Sequence, residues 1–226
     1  MGVRIAKRVP EEEGASEPPK AIRLALAALL LLGSTARADV DWATGFVTGD
    51  GIGIADRHAP TPATARGPAR RAAEDAAKKA ITAQLNALPL AAGGTLKSKL
   101  ADKAIKKRID EAVARAIATA ATLETDGSWK VTMGVPTEAL RIALGAARAI
   151  DAKGDADPAI VVVEGAKQKP ALGVTVGGVS GATIFPREVP AWAADAPRVK
   201  ATGSKAGAIT IDKKLGGPAT LFVIVN

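Results

Sequence analysis

The stretch Phe46-Val47-Thr48-Gly49-Asp50-Gly51-Ile52-Gly53-Ile54-Ala55-Asp56 decides the architecture, because glycine stands at every second position from Gly49 to Gly53. Alternate residues of a β-strand share a face. One face of this segment is therefore bare of side chains, as in a twisted first strand lying under a closely packed helix. A helix that could lie on it follows at once. Arg57 to Gly67 reads as a polar connection holding Pro60 and Pro62, and Pro68 suits the first turn of a helix reaching Leu88. Along it Ala69, Ala72, Ala73, Ala76, Ala77, Ala80, Ile81 and Leu88 form a broad apolar stripe at three- and four-residue spacing. Glu74 with Lys78, and Asp75 with Lys79, make favourable pairs one turn apart on the outer side. A stripe of methyl groups lets such a helix approach a sheet very closely.

Downstream, Pro89 and Gly93-Gly94 break the chain, and a second helix is expected from Thr95, with Leu96, Leu100, Ile105, Ile109, Val113 and Ile117 recurring at four or five residues. Its exposed side is basic: Lys97, Lys99, Lys103, Lys106, Lys107, Arg108 and Arg115 stand against Asp102, Asp110 and Glu111. From Ala118 to Val135 the pattern becomes that of a hairpin around Asp126-Gly127-Ser128, with Trp129, Val131 and Met133 on one face. Pro136-Thr137-Glu138 then opens a short helix containing Leu140, Ile142 and Leu144, with Thr137 as its expected N-cap. The polar run Asp151 to Pro158 reads as a linker. Beyond it, β-like runs at Ala159 to Val163, Leu172 to Val176, Ala182 to Phe185, Ala208 to Ile211 and Ala219 to Val225 suggest a small sandwich or barrel. Leu221 to Val225, apolar throughout, is expected to be a central strand. The expected fold class is thus α+β: a small antiparallel sheet packed by two or three helices over 39–150, a linker at 151–158, and a small all-β domain over 159–226.

Residues 1–38 read differently. Leu24 to Leu32 is an unbroken apolar run, short of the roughly 18 residues a spanning helix needs. Lys20 and Arg23 lie upstream, and Ala36-Arg37-Ala38 places small residues where a signal peptidase reads. A secretory signal cleaved after Ala38 is the expectation, although Glu11, Glu12, Glu13 and Glu17 lengthen and acidify its start. The mature chain would work in the periplasm, on the outer surface or outside the cell, with no transmembrane segment after cleavage.

Composition narrows the chemistry. Cysteine is absent, which excludes disulfides, thiolate metal sites, thiol nucleophiles and a lipid-modified cysteine. Removing residues 1–38 takes away six Lys/Arg and four Asp/Glu, leaving 25 against 19. A moderately basic exported chain meets anionic polymers or lipid headgroups, and nucleic acid is not an expected partner outside the cytoplasm. With no tyrosine, three Phe and three Trp, the core must be built from many small aliphatic contacts.

The order of these elements resembles the bacterial twenty-kilodalton lipoprotein (Lpp) family and the related N-terminal domain of the flagellar T-ring protein FlgT. The residues that carry the resemblance are Thr48-Gly49-Asp50-Gly51-Ile52-Gly53, the alanine-rich helix from Ala69 to Ala80, and Trp129-Lys130-Val131-Thr132-Met133, covering residues 40–145. The resemblance implies an envelope or surface protein with a structural or assembly role and no active site. The chain departs from the family in lacking a lipobox cysteine, so the family's membrane anchor is missing, and nothing in it points to flagella.

Sharper chemistries find little footing. A dinucleotide fingerprint needs Gly-x-Gly-x-x-Gly opening directly into a helix, whereas Gly49, Gly51 and Gly53 alternate and a proline-containing loop follows. His58, the single histidine, has no histidine or cysteine companion for a metal and no evident nucleophile, and reads as a solvated loop residue. Asp151, Asp155 and Asp157 could imitate a calcium loop, but Lys153 intervenes and no bidentate Glu follows. No catalytic, cofactor-binding or metal-binding residues are therefore assigned. The first expectation is a non-enzymatic exported envelope or surface protein with a structural, assembly or interaction role, whose partner is an envelope protein or an anionic polymer or lipid surface. The alternative is a binding module for anionic lipid or envelope polymer using Lys97, Lys99, Lys103, Lys106, Lys107, Arg108 and Arg115. A second alternative is a secreted hydrolase, since carboxylate spacing in space is not legible in a sequence.

Overall fold

The glycines of the opening stretch lie in strand β2 (Phe46–Gly53), and a 24-residue helix, α1 (Pro62–Leu85), runs back along them. The computed structural model describes residues 38–146, 159–215 and 219–225. A methyl group added at Gly49, Gly51 or Gly53 would stand 2.6, 2.0 or 1.7 Å from the carbonyl oxygens of Ala77, Ala73 and Ala69. The step of four helix residues per two strand residues is commensurate, since four residues rise about 6 Å in a helix and two rise about 6.6 Å in a strand. Helix backbone therefore rests on strand backbone, and the buried row of α1 is Ala65, Ala69, Ala73, Ala77, Ala80, Ile81 and Leu85. Ala72, expected on this stripe, is exposed.

The helix begins six residues earlier than the sequence suggested. Thr61 is its N-cap, and Thr61 and Thr64 exchange hydrogen bonds between each side chain and the other's backbone amide, both at 3.3 Å. Pro62 sits at the first turn, where no amide is needed, while Pro68 lies inside the helix and withholds one. Glu74 pairs with Arg70 at 3.0 Å, on the side away from the expected Lys78. The Arg70 guanidinium is held there over the Trp129 ring, 5.3 Å from its centroid.

The first sheet is antiparallel, in the order β1-β2-β4-β3, with β1 at Ala38–Asp41, β3 at Ile117–Leu123 and β4 at Trp129–Pro136. The expected hairpin is β3–β4. Its turn is held by Asp126, whose carboxylate accepts the Ser128 amide at 2.9 Å, and Gly127 supplies a positive φ of 86°. That hydrogen bond holds the Asp126 carboxyl below its ordinary value, because it favours the ionised form. Beside it, the Glu124 carboxylate accepts a hydrogen bond from Lys130 and raises the lysine. Strand β1 was not evident in the sequence. It pairs Ala38 with Gly49 through to Asp41 with Phe46, and Asp41 then ties the following turn by accepting from Ala43 and from the Thr44 hydroxyl.

The second helix is not continuous from Thr95. Leu96–Ser98 forms a 3-10 turn, and α2 starts afresh at Lys103–Ala114 because the Asp102 carboxylate caps the amides of Ala104 and Ile105 at 2.7 and 3.2 Å. Ile117, expected on that helix, opens β3 instead. Helix α3 (Thr137–Ala143) follows β4, with Pro136 and not Thr137 as the cap residue; the Thr137 amide donates to the Gly45 carbonyl at 2.8 Å.

Residues beyond 158 form one mixed seven-stranded sheet in place of the expected sandwich or barrel, in the order β7-β6-β10-β9-β5-β11-β8. The strands are β5 (Ala159–Glu164), β6 (Thr175–Val176), β7 (Val179–Ser180), β8 (Ala182–Ile184), β9 (Arg198–Lys205), β10 (Ala208–Ile211) and β11 (Ala219–Val225). From the edge strand β8 inward, β8, β11, β5 and β9 run parallel. Strand β11 lies inside the sheet as expected, and both of its faces are buried: Phe222 and Ile224 in one apolar cluster, Leu221, Val223 and Val225 in another. Strand β9, unnoticed in the sequence, carries Arg198, Lys200 and Lys205 and has Val199 as its one buried side chain.

The boundary expected at 151–158 lies outside the described residues. On either side of it stand the two sheets, and the described residues pack as one compact unit. Leu172 belongs to the core of the first sheet, and its backbone exchanges hydrogen bonds of 2.9 Å with Pro89 and Ala91. The Phe185 amide donates to the Trp42 carbonyl at 2.7 Å, and the two rings meet edge to face at 6.0 Å.

Candidate functional surfaces

The seven basic residues singled out in the sequence are all exposed, and the structure sorts them into three groups. Lys97 and Lys99 stand on or beside the 3-10 turn before α2. Lys103, Lys106 and Lys107 share one side of α2 with Asp110 and Glu111. Lys106 is already paired to Asp110 at 2.5 Å, one turn on. Arg108 and Arg115 project elsewhere, onto a groove between α2 and α3 of 400 Å³ whose floor includes Ala112, Ile117, Ala139 and Ile142. Arg108 donates its Nε to the Ala143 carbonyl at 2.7 Å, which fixes α2 to the end of α3. The helical repeat of 100° per residue makes this separation unavoidable, since Lys103 and Arg108 differ by well over a quarter turn.

The remaining sequence candidates are placed as follows. The face of Gly49, Gly51 and Gly53 is filled by α1, which leaves no room there for a phosphate. His58 is exposed in the loop before α1, and the neighbouring Asp56 carboxylate accepts its backbone amide at 2.8 Å. Asp151, Asp155 and Asp157 lie outside the described residues. Among the described residues no helix is long and apolar enough to cross a membrane.

A cleft that the sequence reading missed opens where the two sheets meet. It measures 540 Å³, and Phe46, Pro136, Ile184, Pro190, Trp192 and Leu221 make its walls predominantly apolar. Trp192 is 58% exposed, a large apolar ring left in solvent at the cleft's edge. The charged group on the wall, Glu138, is held from behind by Arg141, which is only 2% exposed. The guanidinium grips both carboxylate oxygens at 2.6 and 2.7 Å and reaches the Ser180 hydroxyl at 2.8 Å. A lone tryptophan between Pro190 and a run of small residues was the available signal.

Neither a scan of protein-family models nor a search of curated proteins returns a match to this chain.

A third surface is the free edge of the first sheet. All seven residues of β3 are exposed, none is charged and none is proline. Ile117 and Leu123, at its two ends, are 51% and 40% exposed.

Proposed function

We propose that this chain is an exported, non-enzymatic envelope or surface protein with a structural or assembly role, which it performs by holding a partner in the cleft between its two sheets. The observation that carries this reading is Trp192, more than half exposed beside a concave, mainly apolar wall whose carboxylate is already committed to Arg141. Such a surface fits an apolar or aromatic segment of another protein, because aromatic anchors in concave sites supply most of the energy of an interface. The signal-like features of residues 1–38 and the resemblance of residues 40–145 to envelope lipoproteins support the compartment. The test is affinity capture from envelope fractions using the purified protein and its Trp192→Ala variant as baits. A partner retained by the parent and lost by the variant is expected, together with a mature N-terminus at Asp39. Equal capture by both baits, or a cytoplasmic protein keeping residues 1–38, would overturn the reading.

A second reading has its own observation: Lys103, Lys106 and Lys107 share one open side of α2, with Lys97 and Lys99 just upstream. Basic residues near an anionic membrane contribute about 1 kcal/mol each. Binding to anionic vesicles or peptidoglycan that weakens with salt, and is lost on reversing the three α2 lysines, is the expected outcome. Undiminished binding by the reversed protein would remove this reading.

A further inference from the structure

We infer that β3 is the seam of a two-fold dimer, in which two copies of this chain pair their β3 strands antiparallel and join two four-stranded sheets into one of eight strands. The inference goes beyond the partner-binding role and does not depend on it.

An edge strand presents a row of unpaired backbone amides and carbonyls, and soluble proteins ordinarily blunt such edges with charge, proline or a covering element. Strand β3 carries neither charge nor proline, and all its side chains remain exposed. Its one irregularity is a bulge at Thr119, where the register with β4 passes from Ala118 opposite Met133 to Ala120 opposite Thr132. This bulge fixes how a second copy would fit. With Thr119 taken out of the count, Ala118, Ala121 and Leu123 point to the side of Val131 and Met133, which faces α1, while Ile117, Ala120 and Thr122 point to the other side. A two-fold axis through Ala121 then sets Ala120 opposite Thr122 of the second copy, Leu123 opposite Ala118, and Glu124 opposite Ile117, with faces matched throughout. At the axis, alanine meets alanine. Leu123, 40% exposed in the single chain, covers the small Ala118 of the second copy.

The ends of the strand are complementary in charge. Arg115, just before β3, makes no side-chain ion pair or hydrogen bond among the described residues, whereas the turn just after it carries the Asp126 carboxylate, with Glu124 beside it already paired to Lys130 at 2.7 Å. Antiparallel pairing lays each Arg115 beside the acidic turn of the other copy, twice over. The isologous geometry is the commonest way for a chain to close on itself.

The absence of cysteine gives a clean test. Residues directly opposite in an antiparallel pair have Cβ atoms about 4.5–5.5 Å apart, near enough for a disulfide after small adjustment. Ala121→Cys in the purified protein should oxidise to a covalent dimer on a non-reducing gel, whereas Lys213→Cys, in the exposed bend after β10 of the other sheet, should not. Sedimentation equilibrium of the parent should show a dimer at micromolar concentration. Ala121→Lys should weaken it by about tenfold or more with an unchanged circular dichroism spectrum. Arg115→Glu, which brings like charge to the Asp126 turn of the other copy, should weaken it too. A parent that stays monomeric at all concentrations, a dimer unaffected by Ala121→Lys, or cross-linking no faster at position 121 than at position 213 would each overturn the inference.

Discussion

Ala206 has a φ of 48°, the left-handed region that side chains other than those of glycine, asparagine and aspartate enter at a cost. It holds that conformation because Lys205 pairs with Ala208 across β9 and β10, leaving two residues for the turn, and Gly207 shares its positive φ. Two-residue hairpins that match the twist of their strands demand this backbone, and asparagine-glycine is the favoured sequence. Ala206→Asn should therefore raise stability by about 1 kcal/mol, read as a higher urea midpoint with unchanged slope. A lower midpoint would show that the turn is not under strain. Gly207 permits no such freedom, because a methyl group there would stand 2.3 Å from the Ala91 side chain.

At the scale of elements, two glycines of the same structural region should respond in opposite ways. Gly67 lies inside α1 with open space around it apart from its neighbour Pro68, so Gly67→Ala should gain up to about 1 kcal/mol through helix propensity, less what the contact of the new methyl group with the Pro68 ring takes back. Gly51 lies beneath the Ala73 carbonyl, and Gly51→Ala should cost about 3 kcal/mol or more as the helix is forced off the sheet. Thermal unfolding of the two variants beside the parent decides the matter, and a tolerated Gly51→Ala would mean that α1 does not lie against β2. This contact was legible because the periodicities of glycine and alanine matched. The start of α1 was not, since Pro62 and Pro68 both suit a first turn and only the mutual capping of Thr61 and Thr64 selects the former. Strand β9 escaped notice for a related reason: it buries Val199 alone, so its alternation is too faint to mark a strand. The parallel half of the second sheet did leave a trace. Ile160 to Val163 and Leu221 to Val225 are apolar without alternation, as strands covered on both faces must be. The edge of β3 was half visible, as a hairpin strand without charge, but nothing local reveals which side of a hairpin its sheet leaves open.

For the molecule as a whole, the pair of Glu138 and Arg141 is a side-chain tie between the sheets, since Arg141 reaches Ser180 at the end of β7. Glu138→Ala would take the Glu138 carboxylate from a buried guanidinium that keeps its contact with Ser180, at a cost of about 1–3 kcal/mol. A double-mutant cycle of Glu138→Ala with Arg141→Met in urea measures the coupling, which should be well above zero. Additive effects would show that the two residues act separately. The seam between α1 and β2 bears on the same junction. Its spacing is that of a ruler with identical marks: moved by one helical turn, Ala73, Ala69 and Ala65 would sit over Gly49, Gly51 and Gly53 as comfortably as the present three alanines. What sets the zero is the bulk of Ile81 and Leu85 at the far end, seated among Leu88, Leu96 and Ile109. A slip of one mark would carry the chain after α1 some 6 Å along its axis, and with it Pro89 and Ala91, whose hydrogen bonds to Leu172 join the first sheet to the second. Two aliphatic side chains at the end of one helix thereby keep the two halves of the protein in step.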